Sequence, residues 1–290
     1  MLDYKVSDDN SSNSHAGPSE ARLKQLALAR KNKTDKNTRK TGREKEHKQL
    51  LCVYKNGYSS EHVLRHVTHD KSGRVLARLI SKGLVELYSP PMPHVTGMFG
   101  VGYKLVVLTT VGLGVARGLS AESLHYPEIN KSKINYRQAG HILEIQLAVH
   151  LLLATGLFID FQSERQQAQK SVKNLKRFDA ILIGNDGIKC GLEVETSRKS
   201  GRELDEMQAR LYQALRERNQ DNSFKYEQIY YLAHPDIFDN YKKKFAVNSP
   251  VFAYERAKSG GFVRTAPVAY FSEDDVSRIR LMRIGGHQDA

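Results

Sequence analysis

Cysteine is scarce in this chain: Cys52 and Cys190 are the only two in 290 residues, and they lie far apart. That excludes a disulfide framework and any zinc site built on cysteines, and it suits a reducing cytoplasm. Long apolar runs are missing as well. The longest, Leu147 to Leu157, is broken by His150 and Gly156, well short of the ~18 residues that read as a membrane span. The first residues, with Asp3, Lys5, Asp8 and Asp9, are too polar for a secretory signal. Acids are the third shortage. Against 45 Lys and Arg stand 32 Asp and Glu, a formal net charge of +13. An excess of that size favours a polyanionic partner, and without a span or signal the expected one is nucleic acid. At 40% hydrophobic and 27% charged, most of the chain is expected to fold, as one large or two modest domains.

The positive charge is concentrated. Residues 22–48 hold eleven Lys and Arg against Asp35, Glu44 and Glu46, a local net of +8. Few large apolar residues follow Leu28, so 1–44 is expected to be a disordered basic arm that adds affinity for nucleic acid by counterion release. A second module is expected over 45–122. Ser59 or Ser60 can cap a helix running to about Val67. Asp70 or Ser72 can cap another over residues 73–82, stopped by Gly83. That helix places Val75, Leu76, Leu79 and Ile80 on an apolar face, with Arg74, Arg78 and Lys82 opposite at spacing four. A strand over 84–88, a Pro/Gly-rich loop, a strand over 103–108 and a helix capped by Thr109 or Thr110 complete the order of a winged helix. Such modules commonly lay a basic helix in the major groove, which makes Arg74, Arg78 and Lys82 candidate DNA contacts. His62, His66 and His69 lie four and three apart, but no Cys or carboxylate completes a zinc set with them.

The chemistry is expected in the second half, over 130–272, with 273–290 as a tail. Arg177-Phe178-Asp179-Ala180-Ile181-Leu182-Ile183-Gly184, a turn at Asn185-Asp186-Gly187, and Gly191-Leu192-Glu193-Val194-Glu195-Thr196 read as a β-hairpin. Residues two apart on a strand share a face, so Glu193 and Glu195 point together, and the neighbouring strand can bring Asp179 beside them. Crowded carboxylates repel one another, and a divalent cation relieves that repulsion. The helical segment 134–155 carries Glu144 between Leu143 and Ile145. A carboxylate among apolar residues is costly without a partner. His141, three residues earlier on the same face, makes it a candidate acid–His pair. Helix, three strands, helix, strand is the order of a small α/β domain on a mixed sheet.

Glu144 on a helix, then Asp179, thirteen residues, and Glu193-Val194-Glu195 resembles the PD-(D/E)xK nuclease core. Phe178 stands where Pro is usual and Glu195 where Lys is usual, although an E-x-E ending occurs in some restriction enzymes of that fold. The order of parts adds to this. A winged helix ending Tyr103-Lys104-Leu105-Val106-Val107-Leu108-Thr109-Thr110-Val111-Gly112 precedes the His/Glu helix, Lys176-Arg177-Phe178-Asp179-Ala180 and Glu193-Val194-Glu195-Thr196. Over residues 46–235 this looks like the MobC-type plasmid mobilization relaxases and the related replication-relaxation proteins. The His-hydrophobic-His cluster of tyrosine relaxases is lacking, as that family implies.

The resemblance implies a cytoplasmic bacterial protein that nicks plasmid DNA at a transfer origin, with other relaxosome proteins and a coupling protein as partners. Asp179 and Glu193, with Glu144, are then the expected ligands of Mg²⁺ or Mn²⁺. Glu195 completes coordination or orients the nucleophile. Lys176, Arg177, Arg198 or Lys199 are candidates to neutralise the phosphate in place of the absent Lys. Two alternatives stay open: a non-catalytic DNA-binding regulator of plasmid replication or transfer, and a restriction or repair nuclease.

Overall fold

A computed structural model describes residues 40–89, 104–170, 177–258 and 260–284. The chain separates into two units, 1–44 and 45–290. The second is described here. The expected wing loop between the strands at 88 and 105, and Lys176, lie outside the described residues.

The first core gathers around a helix over 45–56 (α1). Ser59–Ser60 forms β1, Glu61–Thr68 α2, Arg74–Ser81 α3, Val85–Tyr88 β2, Leu105–Leu108 β3 and Thr110–Leu119 α4. The expected caps are present. Ser60 accepts the Val63 N–H, and Thr109 accepts the Gly112 N–H. Asp70 caps α3 from five residues away, its carboxylate taking the Val75 N–H at 2.8 Å. The strands pair antiparallel in the order β1-β3-β2. All four residues of β3 are buried because it is the central strand. Gly112 is required where α4 crosses the chain, since a Cβ there would lie 1.8 Å from the Leu84 carbonyl oxygen. One expectation fails: Ile80 is 38% exposed. Val75, Leu76 and Leu79 bury the helix without it.

The second half begins with Tyr136–Ala154 (α5) and continues with Phe158–Ser163 (β4), Glu164–Lys170 (α6), Ala180–Gly184 (β5), Lys189–Glu195 (β6), Gly201–Arg216 (α7), Gln228–Ala233 (β7) and Pro235–Lys244 (α8). Pro250–Arg256 (β8), Phe262–Tyr270 (β9), Glu273–Ser277 (α9) and Ile279–Arg283 (β10) follow. The main sheet has the order β10-β7-β6-β5-β4. Strands β4, β5 and β6 pair antiparallel, and β6-β7-β10 pair parallel. Parallel neighbours need a long crossover, and α7 supplies it between β6 and β7. Both faces of the sheet are covered, which explains the nearly unbroken apolar run of β5. Ile145, Val149 and Leu152 of α5 pack on Leu182, Leu192 and Val194. Leu211 and Leu215 of α7, with Ile237 and Tyr241 of α8, pack with Ile181, Ile229 and Tyr231.

Helix α5 also serves the first core, through Ala139, Leu143 and Leu147. One helix therefore walls two cores, and the expected boundary between 122 and 130 does not separate independent units. The tail expected from 273 is a second correction. Strand β10 adds to the sheet beside β7. Arg216 clamps Asp275 through two nitrogens, at 2.7 and 2.9 Å. Buried Arg278 donates to the carbonyls of Glu227, Leu215 and Tyr226. Strands β8 and β9 form a ribbon of their own. Among the described residues, no helix is long and apolar enough to cross a membrane.

Candidate functional site

The acidic hairpin is anchored from behind by Phe178. Its ring is fully buried, edge-on to Tyr226 with centroids 4.8 Å apart. A Cβ on Gly191 would come within 2.6 Å of that ring, so Phe178 and Gly191 require each other. The backbone of Phe178 is held on both sides by Gln167, which accepts its N–H at 3.0 Å and donates to its carbonyl at 2.8 Å. Gln167 escaped the sequence reading because one amide among polar neighbours carries no periodic signal.

Asp179 follows directly, at the foot of β5. Its Oδ2 accepts the Val194 N–H at 2.7 Å. The last β5–β6 pair is Ala180 with Leu192, so the carboxylate extends the ladder by one bond and lies against the segment Glu193-Val194-Glu195. Across from it, α5 brings His141, whose Nε2 is 3.9 Å from Asp179 Oδ1. The His141 Nδ1 is buried without a hydrogen-bond partner among the described residues. Glu144 lies three residues further along α5 and is half-buried. A cavity of about 260 Å³ opens beside Asp179, lined by Lys133, Gln138, Ile142 and Arg165 among others.

Glu193 and Glu195 share the other face of β6, opposite Tyr231 and Ala233 of β7. Glu195 is 6% exposed and its oxygens are engaged. Lys199 pairs with Oε2, which also accepts the Tyr231 hydroxyl at 3.4 Å. Oε1 accepts the N–H and hydroxyl of Ser197, at 3.4 and 3.3 Å. Burial pushes the Tyr231 hydroxyl far up, and Tyr241, Glu195 and Glu193 add to it. Burial, then Glu195, pushes Tyr241 up to about 12. Both phenols stay protonated and can donate toward the carboxylates. A lysine does accompany the strand end, but it is Lys199, reaching Glu195 from the following turn.

Asp179, Glu193 and Glu144 are hard oxygen donors of the type that suits Mg²⁺ or Mn²⁺. As arranged, no three His, Cys, Asp or Glu side chains among the described residues form a set that could hold a metal ion. The donor chemistry, rather than a preformed cluster, is what fits the expected cation.

The expected DNA contacts fall into three groups. Arg78 on α3 and Lys82, the residue that caps its end, both bind Glu46 of α1, at 2.8 and 2.6 Å. Both of these expected DNA contacts are thus braced by one carboxylate. Burial pushes the Glu46 carboxyl up, but the hydrogen bonds and charges of Lys82 and Arg78 outweigh it and hold it below its ordinary value. Arg74 is exposed. Arg177 lies 3.9 Å from Glu164. Arg198 and Lys199 line a different cavity from Asp179, at the start of α7. No family model matches the chain, and neither does any curated protein or solved structure.

Proposed function

We propose that this protein is a DNA-cleaving relaxase or endonuclease whose reacting centre is the foot of the β5–β6 hairpin. The observation that carries this reading is the bond from the Val194 N–H to Asp179 Oδ2, 2.7 Å long. It fixes one carboxylate between two others in sequence, with the α5 imidazole 3.9 Å away. The order α5-β4-α6-β5-β6-α7-β7 supports it, because a helix, three antiparallel strands, a crossover helix and a parallel strand resemble a PD-(D/E)xK core. The helices and β1-β3-β2 sheet of the first core support a winged helix that delivers duplex DNA, with Arg74, Arg78 and Lys82 on its basic helix.

In this mechanism Asp179 and Glu193, with Glu144, are the side chains that would hold Mg²⁺ or Mn²⁺. A cation held there would supply polarisation of the scissile phosphate and stabilisation of charge on the leaving oxygen. His141, beside Asp179, is placed to accept or return a proton at Nε2. Glu195 orients rather than ligates, as the buried partner of Lys199 at the strand end. The substrate is plasmid DNA at a transfer origin, with relaxosome proteins and a coupling protein as partners.

The deciding experiment incubates the protein with supercoiled plasmid carrying its origin and Mg²⁺ or Mn²⁺. A nick at one strand position, lost in Asp179→Asn, is the expected result. A linear product would point to a restriction-type nuclease instead. A second reading, a DNA-binding regulator without chemistry, draws on the engagement of Glu195 by Lys199 and Tyr231. Tight origin binding with unchanged plasmid topology and no Mn²⁺ binding would establish it.

A further inference from the structure

The cavity at the start of α7 encloses about 600 Å³ and is lined by five cations, Arg198, Lys199, Lys243, Lys244 and Arg264, against one carboxylate, Asp205. Asp205 is a buried pin rather than a surface counter-charge. It binds the Tyr254 hydroxyl at 2.9 Å, Arg264 at 2.9 Å and Lys244 at 3.4 Å. Lys199 is matched by Glu195. Arg198 and Lys243 have no carboxylate partner among the described residues. Five cations against Asp205 and Glu195 leave a net of three positive charges at one concavity. Helix α7 begins there, at Gly201, and its first turn has no side-chain cap.

Such a lining selects phosphate rather than an apolar ligand, and fixed cations in a concavity focus that attraction. The volume lies in the range of a single small-ligand site, about 300–1,000 Å³, enough for a short stretch of one nucleic-acid strand and not for a duplex. Phe262 lies two residues before Arg264 on β9, so the two share a face of the strand. It is 52% exposed, with the Arg202 guanidinium 3.6 Å from its ring centre. Single-strand binders combine such a basic groove with an aromatic surface on which bases stack. This cavity and the one beside Asp179 share no lining residue.

We propose that the α7 cavity grips the phosphates of a single DNA strand, apart from the reacting centre, with Phe262 as its stacking surface. The proposal rests on the reading that the protein acts on DNA, and binding without metal separates the two. Full-length protein is titrated, in EDTA, against a short fluorescent oligothymidylate and against a duplex of equal length. For Arg198→Gln/Lys243→Gln, single-strand affinity is expected to fall at least about tenfold. The slope of log affinity against log salt is expected to fall by about 1.4, from about 0.7 per phosphate contact. Phe262→Ala is expected to weaken the single strand by about fivefold or more. Unchanged affinity and salt slope in the double variant would overturn the cavity assignment, even if wild type nicks plasmid. Equal losses on duplex and single strand would overturn the single-strand assignment. Oligonucleotide binding through this cavity by a protein that never cuts would sink the cleavage reading alone.

Discussion

The ring of Phe178 occupies the space that a side chain on Gly191 would need, 2.6 Å from the position of a Cβ. That contact sets the separation of β5 from β6 just behind Asp179. Gly191→Ala is therefore expected to destabilise the protein by about 1–3 kcal/mol through overpacking. Phe178→Ala is expected to cost about 3–5 kcal/mol through the cavity it leaves. Urea denaturation measures both. Gly191→Ala is also expected to slow plasmid nicking beyond its stability loss, because the displaced ring moves the strand that carries Asp179.

Asp179→Asn and Glu193→Gln keep size and remove charge. Each is expected to lower the nicking rate by about 100-fold or more, the scale of losing one element of electrostatic stabilisation. Origin binding is expected to stay within about twofold, since neither residue lies on the basic helix. Single-turnover nicking beside a gel-shift titration checks this. Wild-type nicking by either variant would remove that residue from the centre.

Glu195 and Lys199 form a nearly buried pair, with side chains 7% and 26% exposed. Removing one partner of such a pair strands the other charge. Lys199→Met is accordingly expected to cost about 3 kcal/mol or more. Glu195→Gln is expected to cost less, because the amide can still accept from Ser197 and Tyr231. Thermal denaturation of the two variants provides the comparison, and equal losses would contradict the ion-pair account.

Two carboxyls make stability depend on acid. Burial pushes both Glu46 and Asp275 up, yet Lys82 and Arg78 hold Glu46 below its ordinary 4.5, and Arg216 and Ser272 hold Asp275 below 3.8. A carboxyl lowered by folding contributes stability that is complete above its unfolded value and is lost as pH falls through the folded one. Stability is thus expected to be flat in these terms above about pH 5 and to fall progressively below about pH 4. Arg78→Gln/Lys82→Gln is expected to flatten part of that fall. Urea midpoints across pH 3 to 7 read the slopes.

Much of the local structure was legible because its causes are local. Ser60 and Thr109 cap helices where short polar side chains precede apolar periodicity. The β5–β6 hairpin turns at Gly187, whose φ of 80° suits glycine. What stayed hidden depends on partners distant in sequence. The bracing of Arg78 and Lys82 stayed hidden because Glu46 lies 32 and 36 residues away. Helix α5 reads as one apolar helix, and only the fold divides it between two cores. Glu195 looked like a misplaced lysine until Lys199 reached it from the next turn. The ribbon of β8 and β9 has strand-like sequence, and propensity does not say which sheet a strand joins.

The C-terminal segment is the sharpest case. The expected tail instead holds Arg278, which donates to one carbonyl of α7 and two of the loop before β7, and Asp275, which closes a capping box with Ser272. Deleting 273–290 would expose the β7 edge, strip the partner of Arg216 and uncover Ile229 and Leu215. Buried backbone groups that lose their partners cost about 1–3 kcal/mol each, and several are lost together. Against a total stability of about 5–15 kcal/mol for a typical domain, the truncated protein is expected to be insoluble or to lack a cooperative transition. A circular dichroism melt of the truncated protein decides between a structural strand and a dispensable tail.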